Sequence, residues 1–361
     1  MSLSLNTLRA VVTLVAALGC RPFAASAADA DAAASTGAPL ATEEFRVPAG
    51  DPGIELYVRN KHPKGVDRFA PDRILLYVHG ATYPSETAFD LPLGGLSMME
   101  YIARQGYDVY LVDLRGYGRS SRPPEMNVAA DRNEPIVRTD TAVRDVATAV
   151  DFILARRGVT RIDLMGWSWG TTIMAGYTAT HNDKVNKLVL YAPVWLREGG
   201  TSATDPGAKL GAYRSVTVAA ARERWLKGVP EDKKADLIPA GWFDAWAQAT
   251  FATDPVGAQQ TPPVLRAPNG VVQDVREYWS SGKPTYDPAA IRVPVLLAHA
   301  EWDQDTPSYM LHALFAKLTQ TPYKRCVEIG EGTHTVIMEK NRMQLFQAVR
   351  DFLDEAFVPE R

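Results

Sequence analysis

Cysteine is nearly absent from this chain, with two residues in 361, Cys20 and Cys326. Cys20 lies in an apolar amino-terminal stretch; once that stretch is removed Cys326 stands alone, and no intrachain disulfide can form. Cys326 falls within the strand-like stretch 324–329, which predicts a buried thiol. The six histidines are scattered, and neither HExxH nor CxxC spacing occurs, so no metal site is expected. A surplus of charge is missing as well: 39 Lys and Arg stand against 42 Asp and Glu, a formal net charge of -3 with no basic run, which argues against nucleic acid as a partner. Beyond the amino terminus no apolar run is long enough for a transmembrane helix, and internal repeats are absent. What remains is 46% apolar and 22% charged, the composition of an ordered chain with a sizeable core.

The amino terminus carries the one compartment signal. Arg9 precedes an apolar run from Ala10 to Leu18 that is too short to span a bilayer, and Ala25-Ser26-Ala27 offers small residues for cleavage. This predicts a signal peptide over residues 1–27, a flexible Ala- and Asp-rich leader over 28–41, and a periplasmic or secreted mature protein. An alternative reading makes Leu18-Gly19-Cys20 a lipoprotein site anchored through Cys20; Ala17 departs from the large aliphatic residue that such a site favours.

Strand-like stretches occur near 43–47, 54–60, 73–79, 108–113, 161–166, 187–192, 293–300 and 324–329. From the third onward they alternate with helical stretches at 95–105, 139–157, 169–181, 307–319 and 338–357. Alternation of this kind predicts the α/β class: an eight-stranded, mostly parallel, doubly wound sheet with helices on both faces. In the last helical stretch, Met343, Phe346, Val349, Phe352 and Leu353 recur at helical spacing and read as core. The core is expected over 42–193 and 291–361. Residues 194–290 are far too long for a connection and read as a helical insertion, with amphipathic stretches at 210–226 and 232–251 and with Trp195, Trp225, Trp242, Trp246 and Trp279.

Chemistry is concentrated in Gly166-Trp167-Ser168-Trp169-Gly170, a serine between two glycines, after a strand and before a helix. A tight strand-to-helix turn of that kind lifts the serine hydroxyl above the sheet and leaves no room for a Cβ on either side. A nucleophilic serine needs a base, an acid that orients the base, and donors for an oxyanion. His334, on the loop after the strand at 324–329, is the expected base; the other five histidines lie before the serine, inside a strand or on helices. After the strand at 293–300, Glu301, Asp303 and Asp305 crowd one loop. Asp303 is the expected acid, with Asp305, which is also placed to cap the helix after Pro307, and Glu301 as alternatives. The backbone N–H groups of Ala81 and Trp169 are the expected oxyanion donors.

The order Ser, Asp, His, together with His79-Gly80 after a strand, resembles the α/β-hydrolase fold family. The segment from Asp113 to Ser120 is similar to that family's D-x-R-G-x-G-x-S, whose role is structural. The resemblance implies a serine hydrolase, with an insertion at 194–290 acting as a cap over the site; a serine at this turn disfavours the dehalogenases and epoxide hydrolases, which use aspartate there. Trp167, Tyr83, Trp195 and Trp242 are the expected pocket residues. Hydrolysis of a carboxylic ester or lactone through an acyl-enzyme, with no cofactor, is the leading expectation. Similarity to proline iminopeptidases makes an aminopeptidase or amidase the alternative, although His79-Gly80-Ala81-Thr82-Tyr83-Pro84 departs from their His-Gly-Gly-Pro-Gly loop. A ligand-binding protein that has lost turnover is a third reading, disfavoured by the intact Ser, Asp and His.

Overall fold

Near-continuous apolar runs such as Ile74–Val78 and Val295–Ala300 bury every residue, as strands covered on both faces must. The computed structural model describes residues 39–198 and 209–357. The predicted signal peptide, Cys20 and the leader to residue 38 lie outside the described residues. The strands are β1 (Leu40–Pro48), β2 (Glu55–Pro63), β3 (Ile74–Val78), β4 (Asp108–Asp113), β5 (Ile162–Trp167), β6 (Val185–Tyr191), β7 (Tyr213–Thr217), β8 (Val264–Pro268), β9 (Val295–Ala300) and β10 (Lys324–Ile329). β1 therefore begins inside the stretch expected to be flexible leader, because pairing of Leu40 with Pro63 extends its ladder with β2.

Eight strands form one sheet in the order β1-β2-β4-β3-β5-β6-β9-β10. β2 runs antiparallel to β1 and β4, and all the other pairs are parallel. Around the sheet lie α1 (Ser85–Phe89), α2 (Met98–Ala103), α3 (Thr139–Arg157), α4 (Trp169–Thr180), α5 (Val218–Trp225), α6 (Trp242–Phe251), α7 (Gly270–Glu277), α8 (Ser308–Lys317) and α9 (Arg342–Asp354). α3 ends at Gly158, whose left-handed φ of 65° lets its N–H close on the Leu154 carbonyl. α9 starts four residues later than its pattern predicts, since Val336–Met338 first turns as a 3-10 helix.

Two expectations are corrected. Cys326 is exposed, because β10 is an edge strand whose side chains alternate toward solvent. The insertion is also not purely helical: the amphipathic stretch at 210–226 divides into β7 and α5, and β7 pairs antiparallel with β8 from Tyr213↔Pro268 to Thr217↔Val264. β7 finds its partner some fifty residues away, so local periodicity carries no trace of the pairing. Trp225, Phe243, Trp246 and Phe251 form one aromatic cluster, with Trp225 and Trp246 ring centroids 4.8 Å apart.

Candidate active site

β5 delivers Ser168 to the start of α4 with φ 57° and ψ -122°, a backbone conformation that costs a non-glycine residue about 1–3 kcal/mol. Neighbouring backbone holds it there. The Ser168 N–H donates to the Tyr191 carbonyl at 2.9 Å, and its carbonyl accepts from the Thr171 N–H at 2.8 Å. A Cβ on Gly166 would lie 2.2 Å from the Gly170 carbonyl oxygen, and one on Gly170 would lie 2.7 Å from the carbonyl oxygens of Val78 and His79. Backbone, not a flexible side chain, fills both spaces. Gly166→Ala is therefore expected to destabilise the fold by about 3 kcal/mol or more, read from the urea midpoint; an unchanged midpoint would contradict this packing.

The loop after β10 places His334 over the same cavity as Ser168. The His334 carbonyl accepts from the Trp167 indole N–H at 3.0 Å and from the Tyr191 hydroxyl at 2.7 Å, which fixes the backbone. His334 Nδ1 lies 2.8 Å from Asp303 Oδ2, while its buried Nε2 has no partner among the described residues. Asp303 Oδ1 accepts the backbone N–H groups of Asp305 and Thr306 at 2.8 and 3.0 Å, and Oδ2 also accepts the Thr306 hydroxyl at 2.7 Å. Burial pushes the Asp303 carboxyl up, but His334 and the Thr306 hydrogen bonds outweigh it and hold the group below its ordinary value.

Of the three carboxylates on that loop, only Asp303 meets His334. Asp305 pairs instead with Arg224 at 2.5 Å and Lys227 at 3.1 Å, both from the insertion. It does not cap α8, which opens at Ser308 after Pro307 with no side-chain cap. Glu301 accepts the Glu331 N–H at 2.8 Å.

Ala81 lines the serine cavity, and its carbonyl is turned toward the Tyr117 hydroxyl at 2.9 Å and Arg214 at 2.6 Å. Trp169 opens α4, so its N–H belongs to the first turn, where intrahelical acceptors are lacking. Its indole points elsewhere, donating to Thr139 Oγ1 at 2.9 Å. His79 steadies the loop: Nε2 accepts the Leu114 N–H at 3.1 Å, which leaves the proton on Nδ1 to donate to the Gly80 carbonyl at 2.6 Å. Burial pushes its pKa down to about 4, so it stays neutral. Asp113 holds the neighbouring loop through the Ser85 and Arg119 N–H groups at 2.8 and 3.1 Å.

Trp167 and Tyr83 line the cavity with Ser168, His334, Ala81 and Arg224. Trp195 and Trp242 do not. Trp195 packs on Tyr286 at 5.5 Å, and Trp242 lies under the Arg342 guanidinium at 4.3 Å and against Gly94. Sequence reasoning missed Arg224, Arg214 and Thr82. Arg224 sits in a stretch flagged as amphipathic, but nothing local shows that its charge turns inward toward Asp305. The cavity has a volume of about 10 Å³, room for about one water.

Glu339 braces the histidine loop, accepting the Thr333 N–H at 2.9 Å, the Thr335 hydroxyl at 2.7 Å and the Thr333 hydroxyl. Burial, aided by Asp303, pushes its carboxyl up to about 7 against these hydrogen bonds. A raised carboxyl means that the folded state holds a proton the unfolded state has released, so stability falls as pH rises from about 4.5 to about 7. Buried Asp163, also pushed up to about 7, adds to the same window. Glu339→Gln is expected to leave a shallower fall, measured as urea midpoint against pH; an unchanged slope would refute the assignment to Glu339.

An eight-stranded, mostly parallel sheet carrying a serine at a strained strand-to-helix turn defines a hydrolase class of protein. Residues 73–341 match the alpha/beta hydrolase fold family, and the chain belongs to it. It is 26% identical over 142 residues to proline iminopeptidase of Xylella fastidiosa (strain Temecula1), a match covering 37% of each protein, so the chain spans little more than a third of the curated relatives it matches. Among solved structures it is similar to a thermophilic esterase from Thermogutta terrifontis, with TM-score 0.58 and 16% identity over 86% of this chain and 98% of that one. It is also similar to 2-hydroxy-6-oxo-6-phenylhexa-2,4-dienoate hydrolase from Rhodococcus sp. strain RHA1, with TM-score 0.57 and 14% identity over 88% of this chain and 100% of that one. At these identities the likeness to solved structures is one of fold. Among the described residues no group of three metal-ligating side chains occurs, and no helix is long and apolar enough to cross a membrane.

Proposed function

We propose that this protein is a serine hydrolase that cleaves a carboxylic ester or lactone through an acyl-enzyme. The observation that carries the reading is that His334, paired with the buried Asp303, shares one cavity with a strained Ser168. In the proposed cycle His334 Nε2 takes the Ser168 proton as Oγ bonds to the substrate carbonyl carbon, and the Ala81 and Trp169 N–H groups receive the negative oxygen. The carbonyl re-forms, the carbon–oxygen bond to the alcohol breaks, and His334 returns the proton to the departing oxygen. Water then adds with His334 as base, releasing the acid and restoring Ser168. Asp303, ionised and hydrogen-bonded to Nδ1, holds the tautomer that keeps Nε2 free to accept.

The proline iminopeptidase relatives favour an aminopeptidase as second reading. A free amine calls for a carboxylate, and Asp305, beside the cavity, is already committed to Arg224 and Lys227. Turnover of a p-nitrophenyl acyl series beside aminoacyl p-nitroanilides separates the two: anilide turnover with poor ester turnover would overturn the esterase reading. Export through residues 1–27 is part of the proposal, and a mature protein beginning at Ala28 is the expected result of amino-terminal sequencing; a lipid-modified Cys20 would point to the anchored alternative.

A further inference from the structure

The site has a surplus of positive charge that catalysis does not use. A second cavity, about 190 Å³, adjoins the serine cavity and shares Ala81, Thr82 and Arg224 with it. Arg197 and Arg214 complete its polar wall, and Val271, Val272 and Val275 form its apolar one. Among the described residues Arg214 donates only to neutral groups: the Pro268 and Ala81 carbonyls, both at 2.6 Å, and Thr82 Oγ1 at 2.9 Å, with Asn269 Oδ1 at 3.5 Å. Arg224 donates to the same Thr82 Oγ1 at 3.1 Å, so two guanidinium charges sit side by side.

Among the described residues Asp305 is the one carboxylate paired with these groups, and it is shared between Arg224 and Lys227. Neither Arg197 nor Arg214 has a carboxylate partner among the described residues. Burial first, with the Arg224 charge adding to it, pushes the Arg214 guanidinium below its ordinary value, the mark of a cation short of a counterion. Tyr83 adds a further donor: it is 3% exposed, lines the serine cavity beside Arg224, and its hydroxyl donates to no acceptor among the described residues. Arginines without a carboxylate and a tyrosine hydroxyl beside them form a donor set that an acceptor-rich anion satisfies.

We propose that the ester taken by this site bears a carboxylate, received by Arg197, Arg214 and Arg224, with its aliphatic arm against Val271, Val272 and Val275. This rests on the hydrolase reading above and names its substrate class. The planar fork of a guanidinium matches a carboxylate, and the valines suit a short methylene chain. A neutral ester of the same length fills the valine wall but leaves the cations uncompensated.

The test compares kcat/KM for mono-p-nitrophenyl glutarate and p-nitrophenyl valerate, which place the charge on the acyl side, and for 4-acetoxybutanoate and butyl acetate, which place it on the alcohol side. In one of the two pairs the anionic ester is expected to be preferred by about tenfold or more, mainly through KM, and the preference is expected to shrink in high salt. It should collapse in Arg197→Gln and invert in Arg197→Glu. Equal handling within both pairs, or a preference that survives Arg197→Gln, overturns the proposal. A readout free of turnover is calorimetric binding of monomethyl glutarate against methyl valerate to Ser168→Ala. If neither ester is hydrolysed and a fluorophosphonate fails to label Ser168, the hydrolase reading falls; tighter binding of monomethyl glutarate would still uphold the anion pocket, and equal binding would dismiss it.

Discussion

Ser168→Ala is expected to lower kcat on any accepted ester by about 10⁶-fold and to abolish labelling by a fluorophosphonate, while the urea midpoint stays within about 1 kcal/mol of wild type. The loss is this large because the remaining groups have no nucleophile to act on: His334 would have no hydroxyl to deprotonate, and the Ala81 and Trp169 N–H groups would face only a bound ester. The fold should tolerate the change because Ser168 is held by its backbone, through Tyr191 and Thr171, and those bonds do not involve the side chain. Residual turnover above about a hundredth of wild type would show that the chemistry belongs to another residue.

The second large effect separates the two aspartates. Asp303→Asn is expected to lower kcat by about 10⁴-fold. Two backbone N–H groups point at Oδ1, so an amide at this position keeps its oxygen there and turns its NH₂ toward His334 and Thr306. His334 Nδ1 must then accept, its proton moves to Nε2, and the ring loses the lone pair that takes the Ser168 proton. Asp305→Asn removes no bond to His334. Its expected effect is about tenfold or less in kcat, with a change in KM, because it loosens Arg224 at the cavity wall. Comparable loss of kcat in both variants would undo the assignment of Asp303 as the orienting acid.

Much of the fold was readable because its signals are local. β4, α3 and the strand-to-helix turn at Ser168 follow from a short apolar run, a helical stripe and a pair of glycines, respectively. β7 was not readable, since its ladder joins Tyr213–Thr217 to Val264–Pro268 across an intervening helical stretch. The misplaced Cys326 has a related cause: whether a strand side chain is covered depends on where in the sheet the strand falls, and β10 falls at an edge. Trp195 and Trp242 drew attention for their size and their place in the insertion, yet they pack against Tyr286 and Arg342. Trp167 and Tyr83 reached the cavity because each is tied closely in sequence to an element of the site.

What the sequence determined by itself was the α/β class, the alternation that makes the sheet parallel, and the residue types that meet at its end: a serine between glycines, a histidine after the last strand, and a loop of carboxylates after the one before. These follow from periodicity and turn chemistry, which act over a few residues. Only the tertiary structure decided which carboxylate faces His334, because Asp303 and Asp305 are two residues apart and differ only in what lies opposite them. It likewise decided that Arg197, Arg214 and Arg224 gather beside Thr82. A side chain's charge is fixed by its residue type, whereas the partner that answers it is set by elements brought together from distant parts of the chain.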